Sequence, residues 1–147
     1  MHTVAIGCDP NAVEAKREMI AFLQEKGHTV TDFGSDDPIY ANVAIKVARA
    51  VAAGTYDRGI LICGTGIGVS LAANKVKGIR AAVVSETYSA EMTRLHNNAN
   101  VLSLGGRVVG VGLALKIVET FISTPFEAGR HERRVDMLAA IEAKYPK

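Results

Sequence analysis

The stretch Ile60-Leu61-Ile62-Cys63-Gly64-Thr65-Gly66-Ile67-Gly68 sets an apolar run against a loop with glycine at every second position. A short apolar run bounded by glycine reads as a buried strand, and the glycines permit a tight turn into a following helix. Strands that are apolar throughout, without alternation, belong to parallel sheets covered on both faces. In such a sheet Cys63 stands at the carboxyl edge of its strand, among the backbone N–H groups of the loop. Free N–H groups at a helix start attract negative charge. Thiol and loop together therefore suit either proton abstraction or nucleophilic attack.

Working outward, the chain alternates between strand and helix patterns. Val4-Ala5-Ile6-Gly7 predicts a first strand. Asp9-Pro10 then predicts a helix start, with Asp as N-cap and Pro at the first helical position. That helix is expected to run to about Lys26, with Ala12, Ala15, Met19 and Leu23 on one face and Gly27 closing it. A second strand is expected from Thr29 to Phe33, then a turn through Gly34-Ser35-Asp36-Asp37-Pro38. A second helix follows, marked by Ala44, Val47, Ala48 and Val51. After the Cys63 strand, a helix is expected from about Gly68 to Lys75, a strand from Arg80 to Val84 and a helix from Thr87 to His96. A short strand from Val101 to Leu104, a helix from Gly110 to Ile122 and a last helix over about 129–143 complete the pattern.

Five strands alternating with helices predict a three-layer α/β/α Rossmann-like sandwich with a five-stranded parallel sheet. The whole of 1–147 is expected to form one domain. Ligands of such sheets bind outside the carboxyl ends of the strands. Asp9, Cys63, Glu86 and the Leu104-Gly105-Gly106-Arg107 turn are expected on that edge.

Composition narrows the function classes. Hydrophobic residues make up 48% and charged residues 22% of 147, the balance of an ordinary globular domain. The net charge of +2 is too small for nucleic acid or an anionic membrane to be the main partner. No apolar run reaches the ~20 residues that span a bilayer. Met1 to Ile6 enters a strand pattern directly, without signal-peptide architecture. Cys8 and Cys63 form neither a disulfide framework nor a metal-ligand spacing. A reduced, cytoplasmic protein with no bound metal is expected.

Each candidate residue has an ordinary reading beside the chemical one. A buried cysteine is commonly a small hydrophobe. The glycine loop changes the reading of Cys63, because backbone amides stabilise a thiolate, and proton abstraction needs a base near the working pH. The loop also competes as a nucleotide cradle, with Glu86 placed 20 residues after Gly66 as a ribose-binding acid would be. Against that, it spells G-x-G-x-G, lacks the Lys-Ser/Thr of a P-loop and follows the third strand instead of the first. Asp9 is a helix cap that also faces the presumed site, whereas Cys8 points the other way along its strand and is expected in the packing. His96 sits near a helix C-terminus, where the macrodipole favours the protonated imidazole, or it is a solvated surface residue. His131, among charges, reads as a surface residue. Arg130 and Arg134 share a helix face at i, i+4 and make either a phosphate clamp or a solvated patch. Arg107, after two glycines, is a third candidate phosphate contact.

Taken together these pieces resemble the type B ribose-5-phosphate isomerase family, which also includes galactose-6-phosphate and allose-6-phosphate isomerases. The likeness covers nearly the whole chain. It rests on Gly7-Cys8-Asp9, on Ile62 to Gly68, on Ala72-Ala73-Asn74-Lys75 and on Gly78-Ile79-Arg80-Ala81-Ala82. It continues through His96-Asn97-Asn98-Ala99-Asn100-Val101, Gly106-Arg107 and Gly129-Arg130-His131-x-x-Arg134-Val135. The resemblance implies a cofactor-free aldose–ketose isomerisation of a small phosphorylated sugar through a cis-enediolate. By motif, Cys63 would be the base and His96 the ring-opening acid, with Asp9 and Thr65 assisting. The amides of Gly64, Thr65, Gly66, Ile67 and Gly68 would hold the enediolate oxygens. Asn97 would bind hydroxyls, and Arg107, Arg130 and Arg134 the phosphate.

The resemblance also implies a homodimer or dimer of dimers with shared active sites. The His96–Arg107 region would come from the neighbouring subunit, and the last helix would pack on that subunit. Family members acting on ribose phosphate usually have Asp-His where this chain has Asp9-Pro10, and that histidine helps bind the phosphate end. The segment at Ser35 to Pro38 is shorter than usual and lacks the customary Tyr before Pro. The implied substrate is therefore ribose 5-phosphate or, with the same chemistry, a tetrose 4-phosphate, allose 6-phosphate or galactose 6-phosphate. A non-catalytic or nucleotide-binding subunit of the same fold is the remaining reading, and intact Cys63 and His96 favour the enzyme.

Overall fold

The structure, a computed structural model, describes residues 1–145. Five strands, β1 (Thr3–Cys8), β2 (Thr29–Asp32), β3 (Arg58–Cys63), β4 (Ala81–Val83) and β5 (Val101–Gly105), form one parallel sheet in the order β2-β1-β3-β5-β4. Six α-helices accompany them: α1 (Val13–Glu25), α2 (Tyr40–Ala52), α3 (Ile67–Ala73), α4 (Thr87–Leu95), α5 (Val111–Ser123) and α6 (Arg130–Lys144). The expected three-layer arrangement is present. Val4, Ile6, Ile60, Ile62, Leu102 and Leu104 point to the face covered by α1, α4 and α5, where Met19, Leu23 and Phe121 meet them. Ala5, Leu61, Cys63 and Val101 point to the other face, against Val47, Val51, Val69 and Ala73 of α2 and α3. Burial on both faces explains why β3 is apolar at every position. Among the described residues, no helix is long and apolar enough to cross a membrane.

Close approach of α2 to the sheet depends on two glycines in the strands. A Cβ on Gly7 would stand 2.5 Å from Val43 Cγ2, and one on Gly59 would stand 2.9 Å from Val47 Cγ1. Most element ends lie within two residues of their expected positions; the first helix is the exception. Asp9 caps a short 3-10 turn, Pro10–Ala12, by accepting from the Asn11 N–H at 3.0 Å, and α1 begins only at Val13. The N-cap and Pro at the first position are as expected, but Ala12, at φ −114° and ψ 21°, interrupts the helix behind them.

Strand order fixes where the helix ends lie. β2 and β3 flank β1 on opposite sides, so a crevice opens between the carboxyl ends of β1 and β3, the position at which such sheets bind ligands. α4 descends from the carboxyl end of β4 to the amino end of β5, and α5 descends likewise from β5. α6 then crosses the amino edge. Glu127, just ahead of it, donates its N–H to Leu95 O at 3.1 Å, and near its far end Glu142 Oε1 accepts from the Gly78 N–H at 3.0 Å. Little of α6 packs on its own chain. Met137, Leu138, Ile141 and Tyr145 are exposed, and His131 is its one buried residue.

Candidate active site

Cys63 ends β3 and is 6% exposed. The following Gly64-Thr65-Gly66 folds back so that the Gly66 N–H donates to Cys63 Sγ at 3.2 Å. Gly66 is the residue that makes this turn possible. Its φ is +82°, and a Cβ there would stand 2.8 Å from the Leu104 carbonyl carbon. Thr65 Oγ1 accepts from the Ile67 N–H at 3.1 Å, which sets the first turn of α3. Two of the loop's N–H groups are thus engaged inside the loop. Gly68 receives the ring of Tyr40, whose Cε1 lies 2.5 Å from where a Gly68 Cβ would be. Tyr40, two residues after Pro38, is a neighbour of the loop that no local sequence pattern places there.

The strands on either side bring further groups to the same edge. On the β1 side, the Asp9 N–H donates to Ile62 O at 3.1 Å, one residue before Cys63. Pro10 follows, exposed, with no N–H and no charge to offer. On the β5 side, the Gly106 N–H donates to Cys63 O at 2.7 Å and the Arg107 N–H to Gly64 O at 3.1 Å. The Arg107 side chain runs past the loop, its Cδ 3.7 Å from a Cβ built on Gly64. Asp9, Pro10, Cys63, Gly64, Thr65, Gly66, Ile67, Gly68 and Arg107 therefore share one edge. Cys8 lies behind it, fully buried, and burial pushes its thiol up to about 11. It takes the packing role expected of it.

His96, Asn97, Arg130 and Arg134 are elsewhere. His96 closes α4 at the amino edge, with its N–H on Met92 O at 2.9 Å. It lies 5 residues before Val101, the first residue of β5, whereas Cys63 pairs with Gly105, the last. At about 3.3 Å per strand residue, the two edges are on the order of 13 Å apart. The stretch from His96 to Arg107 was expected to act as one block from a neighbour. β5 instead divides it, leaving Arg107 beside its own chain's Gly64 loop. Asn97 is exposed. Arg130 and Arg134 begin α6 next to His96 and, with Arg133 and Met137, line an open cavity.

Two residues of this second cluster carry more than their sequence suggested. His131 was expected at the surface, but is 3% exposed with its ring stacked on that of His96, centroids 4.1 Å apart. Its neighbours exclude water because α6 folds back over the end of α4. Arg94, also 3% exposed, donates to Asn98 Oδ1, Ala99 O and Thr124 O. It ties the turn after His96 to the segment leading into α6. Burial, with Arg58 and Arg80 nearby, pushes its guanidinium down to about 10. His131 is hidden in the charged start of α6, while Arg94 shares the covered face of α4 with Ala90, four residues earlier, although its charge argues for exposure.

A parallel α/β sheet with a thiol in an amide-lined loop at its carboxyl edge, flanked by an aspartate and an arginine, defines an enzyme site for a small polar molecule. Comparison with known proteins narrows that class. Residues 4–138 match the Ribose/Galactose Isomerase family, and the chain belongs to that family. It is 49% identical to ribose-5-phosphate isomerase B of Escherichia coli (strain K12), over 98% of this chain and 99% of that protein. It is 44% identical to D-erythrulose-4-phosphate isomerase of Pectobacterium atrosepticum, over 97% of this chain and 96% of that one. The ribose-5-phosphate isomerase B structure of Clostridium thermocellum is 50% identical and superimposes with a TM-score of 0.93, covering 97% of this chain and 99% of that chain. The chain is an isomerase with the fold that those relatives share.

Proposed function

We propose that this chain interconverts an aldose phosphate and its ketose phosphate, with ribose 5-phosphate and ribulose 5-phosphate as the leading pair. The observation that carries the reading is the Cys63 thiol held against the Gly66 N–H at the carboxyl edge of β3. Cys63, as thiolate, takes the proton from C2 of the open-chain aldose and returns it to C1. The enediolate between those steps carries its charge on oxygen, and donors placed where that charge develops lower the barrier. The loop from Gly64 to Gly68 supplies them, with Thr65 and Asp9 moving the protons between O1 and O2. His96 gives a proton to the ring oxygen as the sugar opens, Asn97 holds hydroxyls, and Arg107, Arg130 and Arg134 hold the phosphate.

This division of labour needs two copies. His96, Arg130 and Arg134 lie at the amino edge of the sheet, a strand's length from their own Cys63. The reading therefore has the amino edge of one chain meet the carboxyl edge of another, with the exposed Leu138 and Ile141 of α6 in the contact. A symmetric dimer satisfies this, because an isologous contact completes both sites at once. The two free cysteines suit a reducing, cytoplasmic setting.

A second reading keeps the chemistry and changes the sugar. Pro10, exposed beside Asp9, offers no charge to the far end of the substrate, and a tetrose 4-phosphate is shorter there. The test is turnover of four-, five- and six-carbon aldose phosphates by the purified chain, with Cys63→Ala as control. We expect turnover of at least one and its loss in the variant. Normal activity in Cys63→Ala would sink the base assignment. A Pro10→His variant that shifts kcat/KM among sugars would locate the preference at that position.

A further inference from the structure

His131 lies one residue inside α6 and is buried, unlike the arginines around it. Its ring lies face to face with His96, centroids 4.1 Å apart and planes 15° from parallel. Arg130 Nε donates to His131 Nε2 at 3.4 Å, which makes that nitrogen an acceptor and leaves the ring proton on Nδ1. Burial first, then the charges of His96, Arg130 and Arg134, hold its imidazole below the ordinary range, opposed by Glu127, whose Oε1 is 3.9 Å from Nε2. A second imidazolium stacked on a first would repel it. A neutral ring does not, so His131 can lie under a protonated His96.

The backbone of His96 is fixed by the end of α4 and by the Arg94 bonds to the turn that follows. Its half-buried side chain still has two rotatable bonds, and a general acid works only from the right direction. The stacked ring removes that freedom. A shared metal ion is the other use for these groups, since His96, Glu127 and His131 offer ligand atoms within 4.8 Å of one another. Imidazoles that share an ion converge on it through nitrogen lone pairs. Here the rings overlap by their faces, and the acceptor nitrogen already faces Arg130.

We infer that His131 is a positioning residue for ring opening: its buried ring holds the His96 imidazole in the direction from which it protonates the ring oxygen of a cyclic aldose phosphate. The inference rests on the proposed isomerase activity and assigns a role to a histidine that the activity itself leaves unused.

The two halves of the reaction can be separated chemically. An aldopentose 5-phosphate closes into a furanose and must be opened. A ketopentose 5-phosphate has its C5 oxygen blocked, cannot close a five-membered ring, and enters proton transfer already open. The experiment measures kcat and KM for ribose 5-phosphate, and solvent-deuterium exchange into ribulose 5-phosphate, in the wild-type chain, His131→Ala and His131→Phe. We expect His131→Ala to lose about tenfold or more in kcat on the aldose, with exchange into the ketose within about twofold of wild type. His131→Phe, which keeps a stacking ring, should recover kcat to within about threefold. Both variants should share any rise in KM, because both lose the acceptor for Arg130.

Unchanged aldose kcat in His131→Ala overturns the inference. So does an equal loss of turnover and exchange, which marks a structural role, or failure of the phenylalanine to restore kcat. Absence of both turnover and exchange in the wild-type chain overturns the isomerase reading and this inference with it.

Discussion

Cys63 and His96 stand at opposite edges of the same sheet: Cys63 is paired with the last residue of β5, and His96 precedes the first by 5 residues. Groups so separated could not serve as base and acid on one small sugar within one chain. If two copies complete each other's sites, Cys63→Ala and His96→Ala should each be inactive alone on a ring-closed aldose phosphate. Unfolded together and refolded at equal ratio, they should recover about one quarter of wild-type activity. Half the dimers are then hybrids, and each hybrid has one intact site. Recovery no greater than the sum of the separate variants places base and acid in one chain.

The two thiols should respond differently to alkylation. Cys8 is fully buried with its thiol pushed up to about 11, so it stays protonated at neutral pH. Cys63 is 6% exposed and opens onto the ligand edge. Iodoacetamide at neutral pH is expected to add one carbamidomethyl group to the native chain, at Cys63, with activity lost in parallel. Peptide mapping by mass spectrometry checks the site, and modification of Cys8 at an equal rate contradicts the assigned burial.

Gly66 and Gly54 offer a paired test of what the loop needs. Both have positive φ, +82° and +80°, but only a Cβ on Gly66 would collide, with Leu104 and Gly105. Gly54→Ala should therefore cost about 1 kcal/mol, the conformational penalty alone. Gly66→Ala adds a backbone clash and should cost about 2–4 kcal/mol, with loss of activity from the displaced N–H. Urea unfolding of both variants measures the difference; equal costs would mean that the β5 turn gives way easily.

Lys16 is buried in α1, with Nζ 2.9 Å from Asp32 Oδ1 at the end of β2. Burial pushes the Asp32 carboxyl up, but hydrogen bonds from Lys16 and the Gly34 N–H outweigh it, and the carboxyl is held below its ordinary value. Asp32→Ala strands a buried ammonium and should cost about 2–3 kcal/mol, whereas Lys16→Met, apolar and similar in length, should cost less than about 1 kcal/mol. The depressed carboxyl contributes stability above the ordinary value of 3.8, and that contribution is lost as pH falls through and below it. His2, His28 and His131 are also depressed, mainly by burial, so their contribution fades earlier, as pH falls below 6.5. Chemical unfolding followed from pH 7 downward is expected to show stability falling in these two stages, with the lower one reduced in Lys16→Met.

The sequence by itself determined the sheet, the helices and the Cys63 loop, because each depends on short-range rules. Continuous burial gives β3 its apolar run, Asp9-Pro10 caps the turn that leads into α1, and Gly66 supplies the one φ the loop requires. It also carried the family's motif residues in order. Tertiary structure alone decided which of those residues share an edge. Strand order places Asp9 and Arg107 on either side of Cys63, and parallel crossovers send the ends of α4 and α5, and with them His96 and Arg130, to the opposite edge. The burial of His131 and Arg94 was illegible for a related reason. Charged residues in an amphipathic stretch are exposed unless another element covers them: the return of α6 across the end of α4 covers His131, and the Asn98–Ala99 turn, Thr124 and the Phe121 ring of α5 close around Arg94.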